Sequence, residues 1–169
     1  MNSKEPLKGK TILLVDDEPD VLESLEDELD MCIVHKAGTF DAALQLIQDN
    51  NYDVVVLDIM GVNGFELLKH SVAKGFLTVM LTAHSVTPEA LKKSIKLGAI
   101  SFLPKEEMVH LREFLEEVVL NGARSVWINL FDLFGGYFNR WFGPDWKEKD
   151  QFFKEFEESL RRSEEQGFM

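Results

Sequence analysis

The stretch ILLVDDEPDVLESL, residues 12–25, decides the fold prediction for this chain. It opens with aliphatic residues, which predict a buried strand over Thr11–Val15. The pair Asp16-Asp17 ends that strand, and Pro19 opens a helix whose apolar residues recur at helical spacing. A strand that is apolar on both faces and runs into a helix is typical of a parallel sheet covered by helices.

The same alternation of strand and helix continues through residue 120. Because right-handed crossovers place the carboxyl ends of parallel strands at one edge, we expect an α/β fold with a doubly wound five-stranded sheet. The further strands are predicted over Cys32–His35, Asp53–Leu57, Leu77–Leu81 and Ile100–Leu103. Helices are predicted over Pro19–Leu29, Phe65–Val72, Pro88–Leu97 and Glu106–Leu120, and Gly98 ends the helix that begins at Pro88. A further helix is predicted after Thr39, which caps it, with Ala42, Ala43, Leu46 and Ile47 facing inward.

Composition and charge limit the classes of function. The net charge of −12 and the pI of about 4.7 disfavour binding to nucleic acid, whose phosphates are also negative. The single cysteine, Cys32, excludes an internal disulfide and favours a reducing cytoplasm. Residues 1–10 lack the apolar core of a signal peptide, and no run of about 18 apolar residues predicts a membrane span.

Polar side chains follow four of the predicted strands. Asp16 and Asp17 follow the first, Asp58 the third, Thr82 the fourth and Lys105 the fifth. Carboxylates that meet at one sheet edge repel one another and need a cation such as Mg²⁺, which prefers oxygen ligands. A hydroxyl and a lysine beside them suit phosphoryl oxygens, and a carboxylate can attack phosphorus.

As a set, these motifs resemble the receiver domain of two-component response regulators, a flavodoxin-like fold. The resemblance covers roughly Gly9 to Leu120. Two features depart from the family pattern: Pro104 precedes Lys105 instead of following it, and the loop over residues 59–64 is short and lacks a proline. The matching stretches are ILLVDDEPDVLESL (12–25), YDVVVLDIM (52–60), NGFELLK (63–69), VMLTAH (79–84) and GAISFLPKE (98–106).

The resemblance implies a role for each matching residue. Asp58 would be the phosphoacceptor, and Phe102 lies where the family has a switch aromatic that works with Thr82. The implied partner is a sensor histidine kinase or phosphotransfer protein, and the implied chemistry is self-catalysed phosphoryl acceptance and autodephosphorylation only. The implied ligands of Mg²⁺ or Mn²⁺ are Asp16, Asp17, Asp58 and the main-chain carbonyl of Met60, while Thr82 and Lys105 would contact the phosphoryl group.

A change in composition divides the chain into a receiver domain over residues 9–122 and a helical extension over residues 123–169. The extension carries aromatic residues at steps that place them on one helical face. Gly143-Pro144 predicts a turn, and Asp145 is a candidate cap for a second helix. The predicted interface comprises Trp127, Phe131, Phe134, Phe138, Trp141 and Phe142, and the second helix has an apolar stripe of Phe152, Phe153, Phe156 and Leu160.

The apolar residues of the extension could be buried against four surfaces: its own receiver, a second copy of the chain, a partner protein or a membrane surface. We expect self-association, giving a homodimer through the C-terminal helices, or docking of a partner. Two functional alternatives remain beside the phosphoacceptor. One is a small Mg²⁺-dependent phosphatase of the haloacid-dehalogenase kind, although Met60 stands where that class has a second aspartate. The other is a degenerate receiver that acts only as a scaffold.

Overall fold

Five parallel strands form a single sheet in the computed structural model, which describes residues 5–83, 86–121 and 139–165. The strand order is β2-β1-β3-β4-β5, so that β1 and β3 lie side by side at the centre. This arrangement confirms the predicted five-stranded parallel sheet. The strands are β1 (Thr11–Val15), β2 (Ile33–Ala37), β3 (Val54–Asp58), β4 (Leu77–Thr82) and β5 (Ser101–Pro104).

Helices alternate with the strands and continue beyond them. Thr39 caps α2, accepting a hydrogen bond from Ala42 N at 3.2 Å, and Gly98 ends α4 with a φ of 105°. Both ends were expected from the residue types. The helices are α1 (Pro19–Asp27), α2 (Phe40–Asp49), α3 (Gly64–Ala73), α4 (Pro88–Leu97), a 3₁₀ helix (Lys105–His110), α5 (111–121), a helical turn (139–142), α6 (Trp146–Lys149) and α7 (Gln151–Glu165).

Successive residues of the central strands are buried on opposite faces of the sheet. Leu13 and Val15 belong to a core cluster that includes side chains of α2, α3 and α4, while Ile12 and Leu14 belong to a second cluster with α1 and α5. The central strands are therefore apolar on both faces, as a sheet sandwiched between helices requires. The described helices include none that is both long and apolar enough to cross a membrane.

Some predicted boundaries and one predicted burial are wrong. Helix α1 ends at Asp27 and not at Leu29, although Leu29 is buried. Strand β2 extends to Ala37, because this edge strand is half-exposed and its polar residues still pair with β1. Ala42 is exposed and not inward, and a tight 3₁₀ helix precedes the fifth α-helix.

The described part of the C-terminal extension packs against its own receiver. Phe153 is completely buried and Trp146 is nearly so, both within the core cluster that contains α4. Trp141 and Phe142 are half-buried against the same cluster, so their predicted contact with another chain remains a prediction. Trp127, Phe131, Phe134, Phe138 and the side chain of Leu160 lie outside the described residues.

The turn before the last helices forms where it was predicted. Gly143 has a φ of 99°, and the main-chain carbonyl of Asp145 accepts a hydrogen bond from Lys149 N within α6. The long aromatic helix α7 begins later, however, because Asp150 caps it by accepting a hydrogen bond from Phe152 N at 2.9 Å. The extension therefore has a second cap that its aromatic spacing did not reveal.

Candidate functional site

The predicted site residues lie at the carboxyl ends of neighbouring strands. Asp16 directly follows β1, Asp58 ends β3 and Thr82 ends β4. In the register of the sheet Asp58 pairs with Leu81 and Thr82 pairs with Pro104, the residue before Lys105. The parallel topology thus brings these four side chains to one edge, as the sequence predicts.

Lys105 holds the two buried carboxylates of this edge together. Its Nζ lies 3.0 Å from Asp16 Oδ2 and 3.4 Å from Asp58 Oδ1. It is also 3.6 Å from Oε1 of Glu18, a side chain that is largely exposed. The other oxygen of Asp16 accepts a hydrogen bond from Glu18 N at 2.9 Å, which fixes the orientation of the carboxyl group. Pro104 before the lysine therefore does not prevent Lys105 from reaching the site.

The negative charge of the site exceeds what Lys105 can offset. Burial raises the pKa of Asp58 to about 6, and the neighbouring charge of Asp16 adds to this, while Lys105 partly opposes it. Burial acts to lower the pKa of Lys105, but its hydrogen bond to Asp16 and the charge of Asp58 outweigh it, so that this pKa is raised. Lys105 is therefore a fixed cation, and Asp58 is a carboxylate that gains from additional positive charge.

Thr82 presents an unused hydrogen-bonding group to this edge. The residue is 1% exposed, and among the described residues its Oγ1 has no hydrogen-bond partner. A buried hydroxyl without a partner costs free energy, on the order of 1–3 kcal/mol. An oxygen-rich group carried by the adjacent Asp58 would give this hydroxyl an acceptor.

The acidic residues after β1 have the chemistry of a site for a hard cation. One carboxylate oxygen from each of Asp16, Asp17 and Glu18 lies within 4.8 Å of the others. The carboxyl group of Asp17 occupies the space where a side chain on Gly61 would lie, with its Oδ2 2.7 Å from that Cβ position. Carboxylate oxygens at this spacing fit Mg²⁺, which binds through a few carboxylates and keeps several waters.

The short loop after Asp58 is shaped by glycine. A Cβ on Gly64 would lie 2.3 Å from the main-chain oxygen of Asp58, so no larger residue fits there. The carbonyl of Met60, a predicted metal ligand, accepts a hydrogen bond from Val62 N at 2.9 Å and retains a second lone pair. The loop therefore approaches Asp58 closely, and the buried carboxyl group of Asp58 borders a cavity.

An open cavity of about 220 Å³ lies over the site. Its lining includes the charged residues Asp17, Glu18, Asp58 and Lys105 and apolar residues such as Met60, Ala83 and Val86. The sequence prediction did not include Glu18, Gly61, Val86 or Ala83; only the position of Glu18 beside two aspartates gave a signal. Phe102, the predicted switch aromatic, is buried in the core cluster near α4 and not in the cavity lining, so its role remains a prediction.

Comparisons with known proteins identify the class that this fold and site define. Residues 12–116 match the family model described as the response regulator receiver domain, so the chain belongs to that family. It is 33% identical over 124 residues to the two-component response regulator ARR18 of Arabidopsis thaliana, covering 69% of this chain and 19% of that protein. It is 34% identical over 113 residues to the C4-dicarboxylate transport transcriptional regulatory protein DctD of Pseudomonas aeruginosa, covering 62% and 24%.

Solved structures show the same fold. The receiver domain protein (CheY-like) of Methanospirillum hungatei JF-1 has 27% identity and a TM-score of 0.60, covering 66% of this chain and 94% of that one. A response regulator of Burkholderia pseudomallei, solved with a phosphorylated aspartic acid and a calcium ion, has 21% identity and a TM-score of 0.61, covering 71% and 72%. The chain spans about a fifth of the length of the curated relatives above. Its family membership argues against the haloacid-dehalogenase alternative.

Proposed function

We propose that this chain is a phosphoacceptor of a two-component phosphorelay and takes a phosphoryl group onto Asp58. The donor is a phosphohistidine on a sensor histidine kinase or phosphotransfer protein. The observation that carries the proposal is the grouping at the sheet edge. Lys105 lies 3.0 Å from Asp16 and 3.4 Å from Asp58, beside the hydroxyl of Thr82, which has no hydrogen-bond partner within the part of the chain that the structure describes. A scaffold without phosphoryl chemistry has no need for this costly arrangement of charges.

Asp58 acts as the nucleophile in the proposed step. A carboxylate oxygen of Asp58 forms a bond to phosphorus, and the bond between phosphorus and the imidazole nitrogen of the donor breaks. The electron pair of that bond goes to the nitrogen, which takes up a proton from solvent. The later attack of water on phosphorus returns the carboxylate and releases phosphate, so the chain turns over no substrate other than itself.

Each neighbouring residue has one task in this step. Lys105 neutralises charge on the phosphoryl oxygens, and Thr82 donates a hydrogen bond to one of them. Mg²⁺ or Mn²⁺, when held by Asp16, Asp17, Asp58 and the main-chain carbonyl of Met60, supplies further positive charge that favours transfer. The grouping of Asp16, Asp17 and Glu18 oxygens supports this assignment of the cation.

Phosphorylation with a small donor tests the proposal. With acetyl phosphate and Mg²⁺, intact-protein mass spectrometry should show the addition of one phosphoryl group to the wild type. Asp58→Asn should abolish the addition. Asp53→Asn is the matched control, because Asp53 precedes the opposite end of the same strand and accepts a hydrogen bond from Thr11 N. Equal labelling of Asp58→Asn and wild type would refute the assignment.

The output of the phosphorylated chain is proposed to be a protein contact. The described residues of the extension lie on the receiver itself, and homodimerisation through the aromatic residues of 127–142 remains a prediction. Size-exclusion chromatography with light scattering, with and without beryllium fluoride and Mg²⁺, tests it. A protein that stays monomeric at high concentration in both conditions would exclude the homodimer.

A further inference from the structure

Asp150 and Phe152 of the C-terminal extension both contact lysines of α4. Asp150 Oδ2 lies 2.8 Å from Lys92 Nζ, while Asp150 Oδ1 accepts the hydrogen bond from Phe152 N that starts α7. The ring centroid of Phe152 is 5.7 Å from the Lys92 ammonium and 5.2 Å from that of Lys96. The same side chain therefore sets where α7 begins and where it contacts the receiver.

An apolar layer formed by Trp146 and Phe153 accompanies this polar attachment. The rings of Trp146 and Phe153 are 5.0 Å apart, and both are buried in the core cluster that contains Leu91 of α4 and Phe102 of β5. Trp146 is also fixed by donating a hydrogen bond from Nε1 to Asn139 Oδ1 at 3.0 Å. Movement of α4 relative to the sheet consequently changes the surface on which α6 and α7 rest.

Val86 belongs both to the lining of the cavity over Asp58 and to the core cluster that contains this layer. The residue is 5% exposed, and Trp146 and Phe153 belong to the same cluster. It also lies just before α4, four residues after Thr82. Protein interiors are close-packed, so a shift of Thr82 and Val86 is passed to the side chains that contact them.

We propose that α7 is a latch on α4 that loosens when Asp58 carries a phosphoryl group, an inference that rests on the proposed function. A phosphoryl oxygen that accepts a hydrogen bond from Thr82 draws the end of β4 toward Asp58, and Val86 moves with it. The ion pair between Asp150 and Lys92 is directional and half-buried, so it tolerates a displaced α4 poorly. Phosphorylation of Asp58 and the attachment of α7 to α4 therefore each disfavour the other.

Reciprocity gives a test that does not depend on following the tail alone. If phosphorylation weakens the latch by a given factor, opening the latch must strengthen binding of a phosphoryl mimic by up to the same factor. Asp150→Asn, which removes the charge and preserves the shape, should tighten the binding of beryllium fluoride in Mg²⁺ by about fivefold. Asp145→Asn is the control, because Asp145 forms an exposed ion pair with Lys149 in the same extension and should leave the affinity unchanged.

Hydrogen exchange of the full chain supplies the second readout. In the wild type, beryllium fluoride with Mg²⁺ should accelerate exchange of the amides of residues 152–158, and Asp150→Asn should accelerate it without the mimic. Equal affinities for all three proteins, equal tightening by both substitutions, or unchanged exchange while the mimic binds would each overturn the latch. Absence of mimic binding in every protein would overturn the proposed function itself and the latch with it.

Discussion

Two lysine–carboxylate contacts of similar length have opposite consequences in this protein. At the sheet edge, Lys105 lies 3.0 Å from Asp16, and on α4, Lys92 lies 2.8 Å from Asp150. The pKa of Asp58, which shares Lys105, is nevertheless raised to about 6, while the hydrogen bond from Lys92 lowers the pKa of Asp150. Distance alone therefore does not tell a functional contact from a structural one.

The difference lies in the balance of charge and burial. Lys105 contacts several carboxylates, two of them buried, so negative charge remains in excess beside Thr82, whose hydroxyl has no hydrogen-bond partner in residues 5–83, 86–121 and 139–165. Lys92 contacts one carboxylate at a margin that is partly open to solvent, and its ammonium group also lies over an aromatic ring. Under the proposed function, a cation and phosphoryl oxygens would complete the first contact, whereas the second already pairs its lysine with one carboxylate of the extension.

Loss of a buried aromatic ring beside the contact of Lys92 with Asp150 should change the free energy of unfolding most. Phe153→Ala should lower the free energy of unfolding by about 3–5 kcal/mol, because it empties the space of a fully buried ring. Chemical denaturation of the full chain measures this. Phe156→Ala is the matched control and should cost less, since Phe156 is only partly buried. A negligible cost for Phe153→Ala would mean that the extension is not part of the receiver core.

The pH dependence of stability should differ between the contact of Lys105 with Asp58 and the contact of Lys92 with Asp150. A raised carboxyl pKa means that the folded chain binds the proton more tightly than the unfolded chain, so stability is lost as pH rises from about 4 to about 6. With chelator present, Asp58→Asn should be about 3 kcal/mol more stable than wild type at pH 8 and nearly equal to it at pH 4. Thermal and chemical unfolding at both pH values measure the difference.

Asp150→Asn should change stability in the opposite direction. The lowered pKa of Asp150 means that its contribution is present at neutral pH and is lost as pH falls. This variant should therefore be less stable than wild type at pH 8, with the difference shrinking in acid. The same sign for both variants at pH 8 would contradict the contrast between the two contacts.

The smallest predicted change is in the affinity for Mg²⁺. Asp17→Ala should weaken Mg²⁺ binding by about tenfold, because one of the grouped carboxylates is removed while Asp16 and Asp58 remain. Isothermal titration calorimetry measures the affinity. Asp49→Ala removes an exposed carboxylate at the end of α2 and should leave it unchanged. Unchanged affinity in Asp17→Ala would place the cation elsewhere.

The sequence predicts the sheet edge better than the extension, and the reason is physical. Parallel topology converts strand-end residues into spatial neighbours, so Asp16, Asp58, Thr82 and Lys105 could be placed together without coordinates. The contact between Asp150 and Lys92 joins residues 58 positions apart across two helices, and no rule of strand order brings them together. Helical spacing identified apolar residues of α7, but it did not say what covers them.

Glycine positions show a similar limit of prediction. The left-handed backbone of Gly61 and the close approach of Gly64 to Asp58 depend on the path of the loop, which spacing alone does not define. Glu18 was missed for another reason: its carboxylate reaches Lys105 only because the turn before α1 folds back over Asp16. These residues line or border the site, while the proposed chemistry rests on side chains that strand order could locate.

Identification of the phosphorylated residue is the most direct test of Asp58 as the phosphoacceptor. The wild type, phosphorylated with acetyl phosphate and Mg²⁺, is reduced with borohydride, which converts an aspartyl phosphate to homoserine, and is sequenced by tandem mass spectrometry. If Asp58 is the phosphoacceptor, homoserine should be found at position 58 and at the position of no other aspartate. Homoserine at a different position, or none in a protein that has gained a phosphoryl group, would contradict it.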